Sequence, residues 1–203
     1  MRPKAPSVRT LLAACLLLSM LSCAGNPSPP DTFHRLSIAA PTARESLLLP
    51  GVVEVDRLHA SAVLQGRALA VVDAERPGSV RHASYDHWVD APPALLQRAL
   101  VSYLRAAGIA NRVVTPEDRA DPEWVISGHL ERFERILGGS GGGALSVEFA
   151  VAQTSEPRFR FHRVYQVVGP APATALASVD ALGRAVEETF VAFVADVEAA
   201  LAK

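Results

Sequence analysis

Apolar positions recur with a helical period in two places. In Tyr85 to Gly108, Leu96, Leu100, Tyr103, Leu104 and Ala107 fall on one helix face. Pro92 and Pro93 suit the first turn, where backbone N–H groups lack intrahelical partners, and Asp90 is placed to cap it. Gly108 can take the left-handed conformation that ends a helix, and Trp88 is placed to lock the incoming strand onto the core. Near the C-terminus Leu182, Val186, Phe190, Phe193, Val197 and Leu201 form a second stripe, with Arg184, Glu187, Glu188 and Glu198 off it.

Elsewhere the period is two, or the run is short and apolar. Thr32 to Ile38 predicts a short strand, broken by Pro41 to Glu45. Leu47 to Leu58 predicts a strand bulged near Pro50-Gly51. Ala68 to Asp73 and Val80 to Trp88 predict a hairpin turning at Arg76-Pro77-Gly78-Ser79. Asn111 to Val114 is a short buried strand, and strand, helix, strand would be a right-handed crossover if parallel. Trp124 to Ile136 changes phase between Leu130 and Phe133, which a bulge near Gly128 would reconcile. After the Gly138 to Gly143 turn, Leu145, Val147, Phe149 and Val151 alternate with polar or small residues. Past Glu156-Pro157, Phe159, Phe161, Tyr165 and Val167 do the same, so the three strands form an antiparallel meander. The whole predicts an α+β fold in two layers: a mixed, mostly antiparallel sheet with two main helices packed on one face.

Composition narrows the class. With 203 residues and 49% hydrophobic content the chain suits one globular domain with an appended segment. The net charge of −1 carries no basic excess to track phosphates, so nucleic acid is excluded as an expected partner.

The appended segment is N-terminal. Arg2, Lys4 and Arg9 precede an uncharged apolar run from Leu11 to Leu21, too short to span a bilayer but right for a signal peptide. It ends in Met20-Leu21-Ser22-Cys23, which resembles a bacterial lipobox; Cys15 has too little apolar core upstream of it. The expected division is therefore 1–22 signal peptide, 23–31 lipidated Cys23 and Pro-rich tether, and 32–203 a single globular domain. A plain secretory signal with a free thiol is the alternative. The lipobox resemblance implies a diacylglycerol thioether and an amide-linked acyl chain at Cys23. Two or more chains anchor stably, at about 0.8 kcal/mol per buried methylene. Ala24, rather than Asp, follows Cys23, which points toward the outer membrane.

Catalytic and metal-binding patterns are missing from the sequence. His34, His59, His82, His87, His129 and His162 are scattered, without helical i, i+4 pairing or cysteine partners. Asp86 and His87 are strand neighbours and point to opposite faces, so they do not make a base and its orienter. Gly138 to Gly143 lacks a Lys-Ser/Thr ending and enters a strand, so it is a turn and not a phosphate cradle. No Gly-x-Ser-x-Gly elbow occurs. Expected are no catalytic residue, no metal and no cofactor beyond the covalent lipid. Glu131, Arg132, Glu134 and Arg135 read as a solvated sheet edge, with a docking rim for a partner protein as the functional alternative.

Tyr85-Asp86-His87-Trp88, Ala91-Pro92-Pro93 and Leu95-Leu96-Gln97 to Ala107-Gly108 together resemble the ABC-type transport auxiliary lipoproteins. These include the lipoprotein of the paraquat-inducible, MCE-containing (mammalian cell entry) systems. Ser127-Gly128-His129-Leu130 and Arg132-Phe133-Glu134 resemble that family's second signature. The resemblance implies a non-catalytic lipoprotein facing the periplasm, anchored in the membrane. Its partners would be an ABC permease, its ATPase and an MCE-domain protein, and its cargo phospholipid or another hydrophobic molecule. An envelope-assembly or secretion-machine lipoprotein without lipid cargo is the competing expectation.

The anchor assignment is tested by Cys23→Ser. That variant is expected to accumulate as unprocessed precursor and to take up no radiolabelled palmitate; continued labelling would place the acylation elsewhere.

Overall fold

The computed structural model describes residues 28–156 and 158–202, so Cys23 and the signal segment lie outside it. Among the described residues nine strands and two α-helices follow in chain order. They are β1 (Thr32–His34), β2 (Val52–Val55), β3 (His59–Ala60), β4 (Ala68–Asp73), β5 (Arg76–Trp88), α1 (Pro92–Ala107), β6 (Arg112–Val114), β7 (Trp124–Leu137), β8 (Gly142–Gln153), β9 (Phe159–Gly169) and α2 (Ala175–Leu201).

β7 is the spine of the sheet. One of its edges pairs antiparallel with β8 from Trp124↔Gln153 to Ile136↔Gly142. The other edge takes β2 at Trp124–Ile126, β3 at His129–Leu130 and β4 at Glu134–Leu137, all parallel. β6 lies parallel beyond β2, β5 antiparallel beyond β4, β1 parallel beyond β5, and β9 antiparallel beyond β8. The parallel ladders are short and the antiparallel ones long, as the expected fold class requires. β6 runs parallel to β2, β7 and β4 and so antiparallel to β5, and the strand, helix, strand run is therefore not a parallel crossover unit.

Both helices cover one face. Leu96, Leu100 and Leu104 of α1 and Val186, Phe190 and Phe193 of α2 join one core with Val53, Ile126, Phe133 and Phe149 of the sheet. Trp88 is fully buried and stacks on Phe133 with ring centroids 5.0 Å apart. Gly108 ends α1 at φ 65°. Asp90 does not cap α1: the cap residue is Ala91, without a side-chain bond, and Asp90 pairs with Arg98. Pro92 and Pro93 explain this, because they remove two of the orphan N–H donors that a cap would satisfy.

Three local expectations are corrected. The hairpin turns at Ala74-Glu75, where the Asp73 carboxylate accepts from Glu75 N at 3.0 Å. Pro77 to Ser79 form a bulge within β5, between Asp73↔Arg76 and Val72↔Val80. In β7 the bulge sits at Glu131, between Leu130 and Arg132, and not at Gly128. Gly128 provides room instead: a Cβ there would stand 2.8 Å from the Glu148 carbonyl and 2.9 Å from Phe149 Cδ1. β8 is buried on both phases, not half-buried, since Ala144, Ser146 and Ala150 are short and lie between two paired neighbours.

β1 is shorter than expected, with His34 inward and Phe33 exposed. After it the chain becomes a strap over the helix layer. A Cβ on Gly183 would lie 2.7 Å from Ser37 O. Ala39 N donates to Glu187, Arg44 N to Ala107 O and Leu48 N to Ile109 O, while the Arg44 guanidinium pairs with Glu198. Leu36, Ile38 and Leu48 pack against the core.

Leu100→Asp would bury an unpaired charge at the centre of α1's inner face. The expected cost is about 3–5 kcal/mol, read as a lowered denaturation midpoint. An unchanged midpoint would mean that this face is not core.

Candidate functional site

The four charged residues of β7 are sorted by its bulge. Leu130 and Phe133 both face the helices, so Arg132 and Glu134 share the opposite face and Arg135 returns to the helix side. β7 has partners on both edges, so the expected solvated sheet edge is not there. Glu134 is buried at 4% exposure, with alanines, Ala70 and Ala144, beside it on both flanking strands. Arg132 Nε donates to Glu134 Oε2 at 2.9 Å. A carboxylate removed from water this far depends on such a partner. Ser146 Oγ donates to Glu131 at 3.1 Å, and Arg135 donates to the Ala173 carbonyl, tying the end of β7 to the turn before α2. Glu131 is exposed and Arg132 half-exposed, so these two are the members of the set that a partner can reach.

At the start of the described chain, β1 is fastened to β5. Thr32, Phe33 and His34 pair with Asp86, His87 and Trp88. His34 Nε2 meets Asp86 Oδ1 at 2.9 Å, and His87 Nε2 lies 3.5 Å from Asp31 Oδ1. Asp86 and His87 therefore serve different partners, as strand alternation requires. The Arg67 guanidinium sits 5.5 Å from the Phe33 ring centroid. The His34–Asp86 contact is part-buried, whereas the more exposed contacts around it are individually weak, and their number at one short strand is what holds it.

The helix layer carries two adjoining open grooves, of about 490 and 310 Å³, that share Val191 and Ala195. Arg184, Glu187 and Glu188 rim the first; Pro41 and Arg44 of the strap, with Tyr103 and Glu198, bound the second. Sequence reasoning missed these grooves. The signal present was Val191, an apolar residue off the α2 stripe, which is 55% exposed. The Arg44 guanidinium hydrogen-bonds the Glu198 carboxylate and holds it below its usual range.

Three of the scattered histidines come together on the face away from the helices. His59, His129 and His162 line a shallow cavity of about 180 Å³ with Glu148. His162 Nε2 contacts Glu148 Oε1 at 2.5 Å. Among the described residues no three His, Cys, Asp or Glu side chains are placed to hold a metal ion. Nor is any described helix long and apolar enough to cross a membrane.

A family model for the ABC-type transport auxiliary lipoprotein component matches residues 34–193. Among solved structures, the Xanthomonas campestris protein XCC0632, of family DUF330, aligns at TM-score 0.72 and 13% identity, over 83% of this chain and 96% of its own. The crystal structure of an uncharacterized protein aligns at TM-score 0.66 and 12% identity, over 83% of this chain and 99% of its own. At these identities the likeness is one of fold. No curated protein matches the chain.

Two buried phenols set a pH limit. Tyr165 Oη donates to Asp196 Oδ2 at 2.9 Å, and burial, then that carboxylate, pushes the phenol up. Burial, then Glu187, pushes Tyr103 up. The folded chain thus favours neutral phenols. That stability is whole below the ordinary value of 10.0 and declines as the pH rises from there toward the folded-state value. Alkaline denaturation monitored by phenolate absorbance is expected to show tyrosines that ionise only as the fold opens. Tyr165→Phe should flatten the alkaline loss, and an unaltered alkaline limb would refute the assignment.

Proposed function

The chain belongs to the ABC-type transport auxiliary lipoprotein components, and from that premise we propose a non-catalytic subunit, lipid-anchored through Cys23, of an MCE-type ABC transporter. Its cargo is phospholipid or another hydrophobic molecule, exchanged between inner and outer membranes. The carrying observation is the family match, which extends from His34 in β1 to Phe193 in α2 and so takes in nearly the whole fold. The physical arrangement supports it. A Pro-rich tether joins the anchor directly to β1, and β1 is fastened to the sheet by backbone and side-chain bonds. The domain thereby keeps one attachment point to the lipid surface while its other faces stay free for protein. Acylated Cys23, with Ala24 after it, sends the protein to the outer membrane, facing the periplasm.

Its part in transport is positional: it holds the MCE-domain protein against the outer membrane while the permease and ATPase supply the work. Glu131 is exposed and stands outside the Arg132–Glu134 pair, so it is the charge of β7 for that contact. Pairing through exposed charges is screened by salt, so the contact weakens as ionic strength rises.

Affinity purification of the intact lipoprotein from mildly solubilised membranes, with mass spectrometry of proteins and lipids, tests this reading. The expected eluate holds an MCE protein and ABC subunits at low salt, and less of both at high salt or from the Glu131→Ala variant. An eluate of envelope-assembly or secretion proteins with bulk lipid would replace the transport role with an assembly role.

A further inference from the structure

Among the described residues the sheet has several free edges, and all but one are blunted. β6 is three residues long, and the carbonyl of Val113 in it accepts from Arg105 Nε at 2.8 Å. β1 is equally short. The part of β5 not covered by β1 carries Arg76, Pro77 and Arg81, the bulge at Pro77 to Ser79 and a second irregularity opposite Ala68 to Ala70. Charge, proline, shortness and bulges are the devices that keep strand edges from pairing.

β9 lacks them over its second half. It is eleven residues long, pairs only with β8, and its irregularity lies at the Phe159–Phe161 end. From Val164 to Gly169 it reads VYQVVG, without charge, proline or bulge. Val164 and Val168 stand 44% and 61% exposed on the face away from the helices.

We propose that this edge joins two copies of the chain, β9 against β9 in antiparallel register about a two-fold axis at Gln166. The segment is complementary to itself in that register. Val164 of each copy lies opposite Val168 of the other, so the exposed valines cover one another. Tyr165 lies opposite Val167, and the two Gln166 amides meet and can hydrogen-bond. Arg163 faces Gly169, and Pro170, without an N–H, ends the ladder. The basic stretch Arg160 to Arg163 of each copy runs past neutral Gly169 to Pro172, so like charges are never opposed. Asp196, the carboxylate of α2 at this edge, is already engaged by Tyr165 and Arg163, so pairing strands no charge. The product is one continuous sheet with both helix layers on the same side. This inference is independent of the transport role.

Gln166→Cys in the intact lipoprotein, oxidised or treated with a short thiol cross-linker in membranes, tests the register. Directly opposed side chains have Cβ atoms roughly 4.5–5.5 Å apart, so the variant is expected to run at twice its mass on non-reducing gels. His162→Cys puts the two thiols roughly 26 Å apart at about 3.3 Å per residue, and should stay near the wild-type background. Adding Val164→Lys and Val168→Lys should abolish the Gln166→Cys dimer while leaving the circular dichroism and denaturation midpoint unchanged. A monomeric Gln166→Cys, an equal yield from His162→Cys, or cross-linking to a different polypeptide would each overturn the proposal.

Discussion

Fourteen consecutive residues of β7 must satisfy backbone hydrogen bonds on two edges, and the rest of the fold is built around meeting that requirement. One edge is served by a single long partner, β8. The other is served piecewise, by three short strands that the chain lays down in succession. The bulge at Glu131 lets one strand serve both parts. It shifts the phase so that Leu130 and Phe133 both meet the core, although they stand three positions apart and simple alternation would send them to opposite faces. Phe133 then receives Trp88, which fixes where β5 hands over to α1.

That arrangement also decides what the charged residues can do. A carboxylate on a sheet edge would be solvated. Glu134, in the middle of the sheet between alanines, is instead held by Arg132, so the pair belongs to the structure before it belongs to any interface. Docking capacity therefore rests with the features left at the periphery: Glu131, the grooves beside α2 and the outermost strand.

Much of the fold was legible in the sequence because it has a period. The stripes of α1 and α2, the alternation of β8 and that of β9 from Phe161 onward gave their elements and their inward faces, whereas Phe159, expected on the inward phase of β9, lies beyond a register shift and is 62% exposed. Features set by backbone count or by distant partners were not legible. The phase change suggests a bulge near Gly128, but the extra residue is Glu131, and packing against Leu58 and Phe149 determines why the glycine is needed. The Asp73 carboxylate closes a tighter turn than the Pro-Gly pair suggested. The strap from Ser37 to Leu48 has no period, since its backbone bonds go to carbonyls and carboxylates more than sixty residues away. For the site, Cys23 is visible only in sequence, whereas the grooves need the fold, because Val191 in isolation looks like one more apolar helix residue.

The strap carries a consequence for the order of events during synthesis. Gly183, Glu187 and Glu198, which receive Ser37, Ala39 and Arg44, all come from the last element of the chain. A polypeptide emerging N-terminus first cannot seat residues 37–44 until almost its entire length is available. The two ends of the chain close the fold together, so long-range contact is a condition of completion and the final step is slow relative to local helix formation. Any chemistry performed on the N-terminal segment while the chain is still emerging acts on a domain that has not yet latched.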